Sequence, residues 1–386
     1  MQNLLTPNNI PYQIIKDNAS LQQICQTAQQ FPVVALDTEF ERIRSYYAKL
    51  GLIQLYYGET VALIAPLTIT EWQPFITLLA DQNVLKVLHA SGEDIEIFYQ
   101  QFGQLPQPLI DTQIAANFLG FPLSAGFALL VEHYLKIELD KKMSRTDWLK
   151  RPLTDRQLQY AAADVYYLLP VYQQMAMAMK TSPWQEIIQQ ECQFVAEKRC
   201  KHISAENAYL DIGNAWRLNR EQLNNLKFLA KWRLQEGIKR NLALSFIVSN
   251  EGLIQTAIHS PKHTSQLLEL GLHPMEIKRH GKKLLLLIEQ AKRVPASDYP
   301  ALIENISERA GYKKAINVLQ KNLKRLVKEQ LPTQVIASKK LLHQLLKWYW
   351  SDEPQDRKPE LLQSWRQPYG EQLLAALREV ELSLEK

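Results

Sequence analysis

The chain has 386 residues, more than one ordinary hydrophobic core accommodates, so two or three domains are expected. Its 45 Lys and Arg against 40 Asp and Glu give a net charge of +5, split unevenly: residues 1–200 carry 15 basic and 20 acidic side chains, and residues 201–386 carry 30 and 20. No apolar run reaches bilayer length, Met1-Gln2-Asn3-Leu4-Leu5-Thr6 lacks the form of a secretory leader, and Cys25, Cys192 and Cys200 fit neither a disulfide framework nor a zinc site, so a cytoplasmic protein without membrane association is expected.

The first strong element is Val33 to Phe40, an apolar run bounded by Pro32 that reads as a buried strand. Side chains alternate along a strand, so Asp37 and Glu39 share a face. Two adjacent carboxylates tolerate each other when a proton or a metal cation sits between them; taken alone, the pair reads equally as the solvated end of a strand. Gly51 to Tyr57 and Val61 to Ala65 flank Gly58-Glu59 and predict a hairpin. A helix is expected over Glu71 to Leu79, a short strand over Val84 to His89, and a helix over Glu93 to Phe102. After Pro106 and Pro108, Leu109-Ile110-Asp111-Thr112 opens the next unit. This mixture predicts an α/β domain with a mixed sheet over residues 1–180.

From about Trp184 the strand patterns stop. Asn219 to Glu236 carries Leu223, Leu226, Leu229, Ala230 and Leu234 on one helical stripe. Leu267-Leu268, Pro274 and His280-Gly281 are echoed by Leu361-Leu362, Pro368 and Tyr369-Gly370, each set downstream of a tryptophan-bearing helix. This degenerate duplication predicts two small all-α domains, 205–293 and 298–386, split near Val294-Pro295-Ala296-Ser297.

Two further acidic positions stand out in the first half. In His89-Ala90-Ser91-Gly92-Glu93-Asp94, a strand-turn-helix pattern places Glu93 and Asp94 in a first helical turn, where the helix dipole also favours anions. Tyr160 and Asp164 lie four apart on one helix face, and Ala161 to Ala163 permit close approach to a neighbour; a surface Tyr–Asp pair is the plainer alternative. Together Asp37, Glu39, Asp94 and Asp164 offer oxygen ligands from three segments, a donor set suited to Mg²⁺ or Mn²⁺. Two such ions about 4 Å apart assist in-line phosphoryl displacement. An acidic half joined to a basic half suits such chemistry on a polyanion, although solvated lysine-rich helices give the same charge balance.

The order Asp-x-Glu, Asp, Tyr-x3-Asp resembles the tyrosine subclass of the DEDD exonuclease superfamily and, more narrowly, the ribonuclease D family. The resemblance rests on Leu36-Asp37-Thr38-Glu39-Phe40, Tyr46-Tyr47 to Gly51-Leu52-Ile53-Gln54-Leu55, Asp111-Thr112-Gln113, Ser144-Arg145-Thr146-Asp147-Trp148 and Tyr160-Ala161-Ala162-Ala163-Asp164-Val165. It implies a ribonuclease H-like mixed sheet flanked by helices, then a helicase-and-RNase-D C-terminal (HRDC) domain and a second divergent copy. It also implies a metal-dependent 3′-5′ exoribonuclease that releases nucleoside 5′-monophosphates, with RNA, above all tRNA precursor 3′ ends, as partner of a monomeric chain.

On this resemblance Asp37 bridges two metal ions, Glu39 and Asp164 complete the first site, Asp94 acts mainly through waters on the second, and Tyr160 orients the attacking water. His89, Lys142 and Arg145 are candidate substrate contacts, each with a structural alternative of comparable weight. Asp111 is read as a helix N-cap, and Glu93 and Glu96 as non-ligands. Lys231, Arg233, Lys239, Arg240, Lys278, Arg279, Lys282 and Lys283 are candidate contacts to the RNA backbone, and Trp232 a core residue. Two rivals remain: a DNA exonuclease using the same carboxylates, and an RNA-binding protein with a vestigial site, which would need one of the four carboxylates to be missing.

Overall fold

The computed structural model describes residues 9–139, 146–201, 204–327, 331–351 and 358–382. Its strands are β1 (Tyr12–Ile15), β2 (Val33–Glu41), β3 (Lys49–Tyr56), β4 (Val61–Ile64), β5 (Leu85–Leu88) and β6 (Leu109–Asp111), in the spatial order β1-β4-β3-β2-β5-β6. The hairpin β3–β4 is antiparallel, whereas β1 pairs parallel with β4, and β2, β5 and β6 run parallel. The mixed sheet expected from the sequence is therefore present. Val34, Ala35 and Leu36 of the inner strand β2 are fully buried, as its uninterrupted apolar run requires.

The helices of this part are α1 (Asn18–Ala28), α2 (Gln73–Ala80), α3 (Gly92–Phe102), α4 (Thr112–Phe118), α5 (Phe127–Leu135), α6 (Asp155–Lys180) and α7 (Gln185–Cys200). Helix α2 starts two residues later than its spacing suggests, with Pro74 in the first turn, where a missing N–H costs nothing. β1 and α1 escaped the sequence reading. The strand has only four residues, and the helix hides Leu21, Ile24, Cys25 and Ala28 among glutamines. Helix α6 opens with a Thr154–Gln157 capping box and packs on β2; its Ala161, Ala162 and Ala163 are buried.

The chain divides into two compact units. The first comprises residues 1–41, 50–200 and 306–386. Besides the α/β elements it contains α12 (Tyr312–Leu326), α13 (Thr333–Ile336), α14 (Lys339–Tyr349) and α15 (Gln367–Leu382). Glu191 of α7 explains much of this association. It is buried and accepts from Arg366 Nη1 at 2.5 Å and Nη2 at 2.7 Å, and from Trp365 Nε1 at 2.9 Å. Trp365 also meets Phe118 of α4 edge-on, with ring centroids 5.6 Å apart. One continuous apolar core runs from Val87 and Tyr167 to Leu345 and Leu373. The terminal helices thus share the core of the α/β part, where the sequence pattern had set them apart as residues 298–386.

The second unit comprises residues 42–49 and 201–305, with α8 (Arg220–Arg240), α9 (Asn250–His259), α10 (Thr264–Glu269) and α11 (Pro274–Ala291). Its own core gathers Leu223, Leu226, Leu229, Leu253, Leu284 and Ile288. The 42–49 segment is tied in by Tyr47 N donating to Asn241 Oδ1 at 2.7 Å and Ala243 N donating to Arg44 O at 2.9 Å. Trp232 packs on this core, with His280 at its edge. The duplication has a physical counterpart. A Cβ on Gly281 would lie 3.5 Å from Leu267, and one on Gly370 would lie 1.9 Å from Leu361 O, so in both copies the helix glycine abuts the preceding Leu-Leu pair. No described helix is long and apolar enough to cross a membrane.

Candidate active site

Strand β2 carries Asp37 and Glu39 on one face, and α6, held close by its alanines, brings Asp164 to them. Carboxylate oxygens of the three lie within 4.8 Å of one another. Asp94 enters from the first turn of α3, where it is buried and accepts a hydrogen bond from the Thr38 hydroxyl. Its charge acts on both Asp37 and Glu39. Tyr160, one turn before Asp164, hydrogen-bonds to that carboxylate. The structure thus brings Asp37, Glu39 and Asp164 together, with Asp94 and Tyr160 beside them; spacing alone pairs Asp37 with Glu39 and Tyr160 with Asp164.

Burial, and then the neighbouring carboxylates, raise the pKa values of Asp37 and Glu39 far above the ordinary range. Burial likewise raises Asp94 to about 6 and Asp164 to about 7, each opposed by a hydrogen bond from Thr38 or Tyr160 respectively. The Tyr160 phenol is raised by burial and then by the charges of Asp164, Glu39 and Asp37, so its hydroxyl keeps its proton. Among the described residues, the charged groups that raise Asp37 and Glu39 are themselves carboxylates. Crowded anionic oxygens of this kind fit hard divalent cations, whose charge offsets the repulsion.

His89 directly follows β5, with Nδ1 at 2.9 Å from the Thr112 hydroxyl, which itself donates to Leu88 O at 3.1 Å. That arrangement makes Nδ1 the donor, and burial lowers the pKa of the ring. Lys142 and Arg145 lie outside the described residues. Glu93 and Glu96 both pair with Arg199, at 2.9 and 3.2 Å. Among the basic candidates Arg233 is buried rather than on the surface, donating to Val248 O and Asn250 Oδ1, each at 2.8 Å. Its place on the apolar stripe of α8 was the overlooked signal.

The sequence reading missed several residues that shape the site. Arg151 donates to Trp148 O at 2.7 Å and to Gly51 O at 2.6 Å. Trp148 is fully buried, its ring centroid 6.2 Å from that of Tyr160. A Cβ on Gly51 would come within 2.6 Å of Trp148 O and 3.1 Å of Glu39 O, so only glycine permits this approach. A glycine inside a strand pattern was the visible signal.

A mixed sheet with helices on it and an acidic cluster drawn from β2, α3 and α6 defines a 3′-5′ exonuclease domain, and residues 12–180 match the family model described as 3′-5′ exonuclease. Residues 222–288 match the HRDC domain, and residues 310–374 the ribonuclease D C-terminal HRDC domain. Ribonuclease D of Haemophilus influenzae is 49% identical over 370 residues, covering 95% of this chain and 93% of that protein. Ribonuclease D of Escherichia coli K12 is 45% identical over 368 residues, covering 95% and 97%. The crystal structure of Escherichia coli RNase D, described as an exoribonuclease involved in structured RNA processing, matches with a TM-score of 0.93 at 43% identity and covers 96% of this chain and 99% of that one. The chain belongs to the ribonuclease D family and is a 3′-5′ exoribonuclease.

Proposed function

We propose that this exoribonuclease trims the 3′ ends of tRNA precursors and other structured RNAs, releasing nucleoside 5′-monophosphates with the aid of two divalent cations. The convergence of Asp37, Glu39 and Asp164, with Asp94 beside them, is the observation that carries this reading. In it, Asp37, Glu39 and Asp164 would hold the first ion, and Asp37 and Asp94 would hold the second. Bound Mg²⁺ or Mn²⁺ supplies acidified water and charge stabilisation for the leaving 3′ oxygen.

The protein's own groups do the rest. Tyr160, kept protonated by burial, is suited to orient the attacking water through its hydroxyl and is a poor proton acceptor. Thr38 fixes the Asp94 carboxylate. His89, Lys142 and Arg145 are proposed to contact the terminal nucleotides. Residues 1–180 form the chemical module, while 205–293 and 298–386 are proposed as RNA-gripping helical modules of a monomer working in the cytoplasm.

The test is digestion of a short RNA labelled at either end, with Mg²⁺, with Mn²⁺ and with chelator, beside a DNA of the same sequence. A 5′ label should yield a descending ladder and a 3′ label an immediate mononucleotide, both abolished by chelation. Undiminished cleavage in chelator would overturn the metal assignment, and internal cuts would overturn the directionality.

A further inference from the structure

We infer that Asp111 is a positioning residue for Asp94, acting through the turn Ala90-Ser91; the inference rests on the metal-binding reading above. As an N-cap, Asp111 needs only to accept from the first N–H groups of α4, and it does so from Gln113 N at 2.8 Å and Ile114 N at 3.4 Å. Its carboxylate does more. Oδ1 also accepts from Ala90 N at 3.0 Å, and Oδ2 accepts from both Ser91 N and Ser91 Oγ at 2.8 Å.

Those donors belong to the turn that launches α3, three to four residues before Asp94. Ser91 occupies the N-cap position of α3, yet its side chain makes no cap there, because its hydroxyl is committed to Asp111. Ala90 has φ of +54°, a left-handed conformation that an alanine adopts only when its surroundings impose it. One buried carboxylate therefore ties the N-termini of two helices together and holds the backbone at an unfavoured turn. β6 is in turn braced by α7, with Asp111 N donating to Cys192 Sγ at 3.3 Å.

The consequence for the site follows from how Asp94 is held. Asp37 and Glu39 are fixed by the sheet and Asp164 by a 26-residue helix. Asp94 sits in the first turn of α3, where its carboxylate accepts from the Thr38 hydroxyl and from the backbone N–H groups of Thr38 and of Asp94 itself, and where the conformation of the preceding turn sets the position of its backbone. The clamp at Asp111 controls that conformation. Partners that orient a metal ligand without touching the metal change affinity by roughly 10- to 100-fold when removed.

Three variants separate positioning from mere capping. Asp111→Ser keeps a competent N-cap for α4 but is too short to reach Ser91. Ser91→Ala leaves the α4 cap untouched and removes one bond of the clamp. Ser91→Thr restores the hydroxyl. Mn²⁺ alone is titrated calorimetrically into each variant and the parent, and kcat and KM are measured on a short RNA. Ser91→Ala and Asp111→Ser should bind Mn²⁺ roughly 10-fold more weakly. Their kcat should fall at unchanged KM and recover in part at high Mn²⁺, while Ser91→Thr behaves as the parent. A lowered melting temperature with parental Mn²⁺ affinity in both variants would overturn the inference. A parent that binds no Mn²⁺ would instead overturn the metal reading beneath it.

Discussion

Asp37, Glu39, Asp94 and Asp164 are held among one another's charges, and each removal should have two opposite effects. Asp37→Asn, Glu39→Gln, Asp94→Asn or Asp164→Asn should abolish hydrolysis while metal-free stability holds or rises, because repulsion is relieved. Undiminished turnover by any folded variant would remove that residue from the mechanism. The burial of these four acids, and for Asp37 and Glu39 also the neighbouring carboxylates, sets a pH dependence. These acids are raised in the folded state, so the native protein retains protons that the unfolded chain releases. Stability of the metal-free protein is therefore full below the ordinary carboxylate range and is lost as pH rises through about 6 for Asp94 and about 7 for Asp164. Urea midpoints measured on the metal-free protein from about pH 5 to about pH 8 should fall, and Asp164→Asn should flatten that fall. Tyr160→Phe should leave metal binding almost unchanged and lower kcat by about 10- to 1000-fold, since only the orienting hydroxyl is lost. Unchanged turnover at saturating metal would make Tyr160 a packing residue.

At the scale of elements, β3 lies so near the Trp148 loop that Gly51 tolerates no side chain. Gly51→Ala should destabilise by about 1–3 kcal/mol through overpacking and depress activity, because the same Cβ presses on the Glu39 carbonyl. Thermal unfolding together with turnover checks this, and a fully active, undestabilised variant would refute it. The α7–α15 junction turns on a different pair. Arg366→Ala leaves Glu191 buried without its partner and should cost about 3–5 kcal/mol, whereas Glu191→Leu with Arg366→Met should recover much of the loss. Denaturant unfolding of the single and double variants measures both.

For the whole molecule, the basic character of the second half is concentrated. Residues 306–351 carry ten Lys and Arg against two acidic residues, Glu308 and Glu329. Lys339, Lys340 and Lys347 line a cavity of about 410 Å³ with His343. Replacing these three lysines by glutamine should weaken a long structured RNA and reduce its salt slope by up to about 2, at roughly 0.7 per contact to a single strand, with kcat on a very short oligonucleotide unchanged. An unaltered slope would place the RNA elsewhere. Truncation before residue 205 is a poorer test of gripping than the charge asymmetry alone suggests. It would strip the shared core and leave Glu191 unpaired, so activity should fall on short and long RNA alike.

Much of the site was legible because its signals are local. Strand alternation pairs Asp37 with Glu39, helical spacing pairs Tyr160 with Asp164, and small residues at Ala161 to Ala163 announce a close approach. The duplicated Leu-Leu and Gly positions were legible for the same reason, since a helix that must abut its neighbour needs glycine at one register. What only the tertiary structure decided depends on residues far apart in the chain. Burial of the four carboxylates, and then their proximity, raises their pKa values, and both arise only where three segments converge. Asp111 looks like any N-cap until Ala90 and Ser91 are seen to share its carboxylate. Arg233 reads as a surface cation until its helix shows it buried, and residues 298–386 read as a separate domain, whereas Arg366 meets Glu191 in the shared core. Periodicity reports which face of an element is apolar, whereas only packing determines what that face meets.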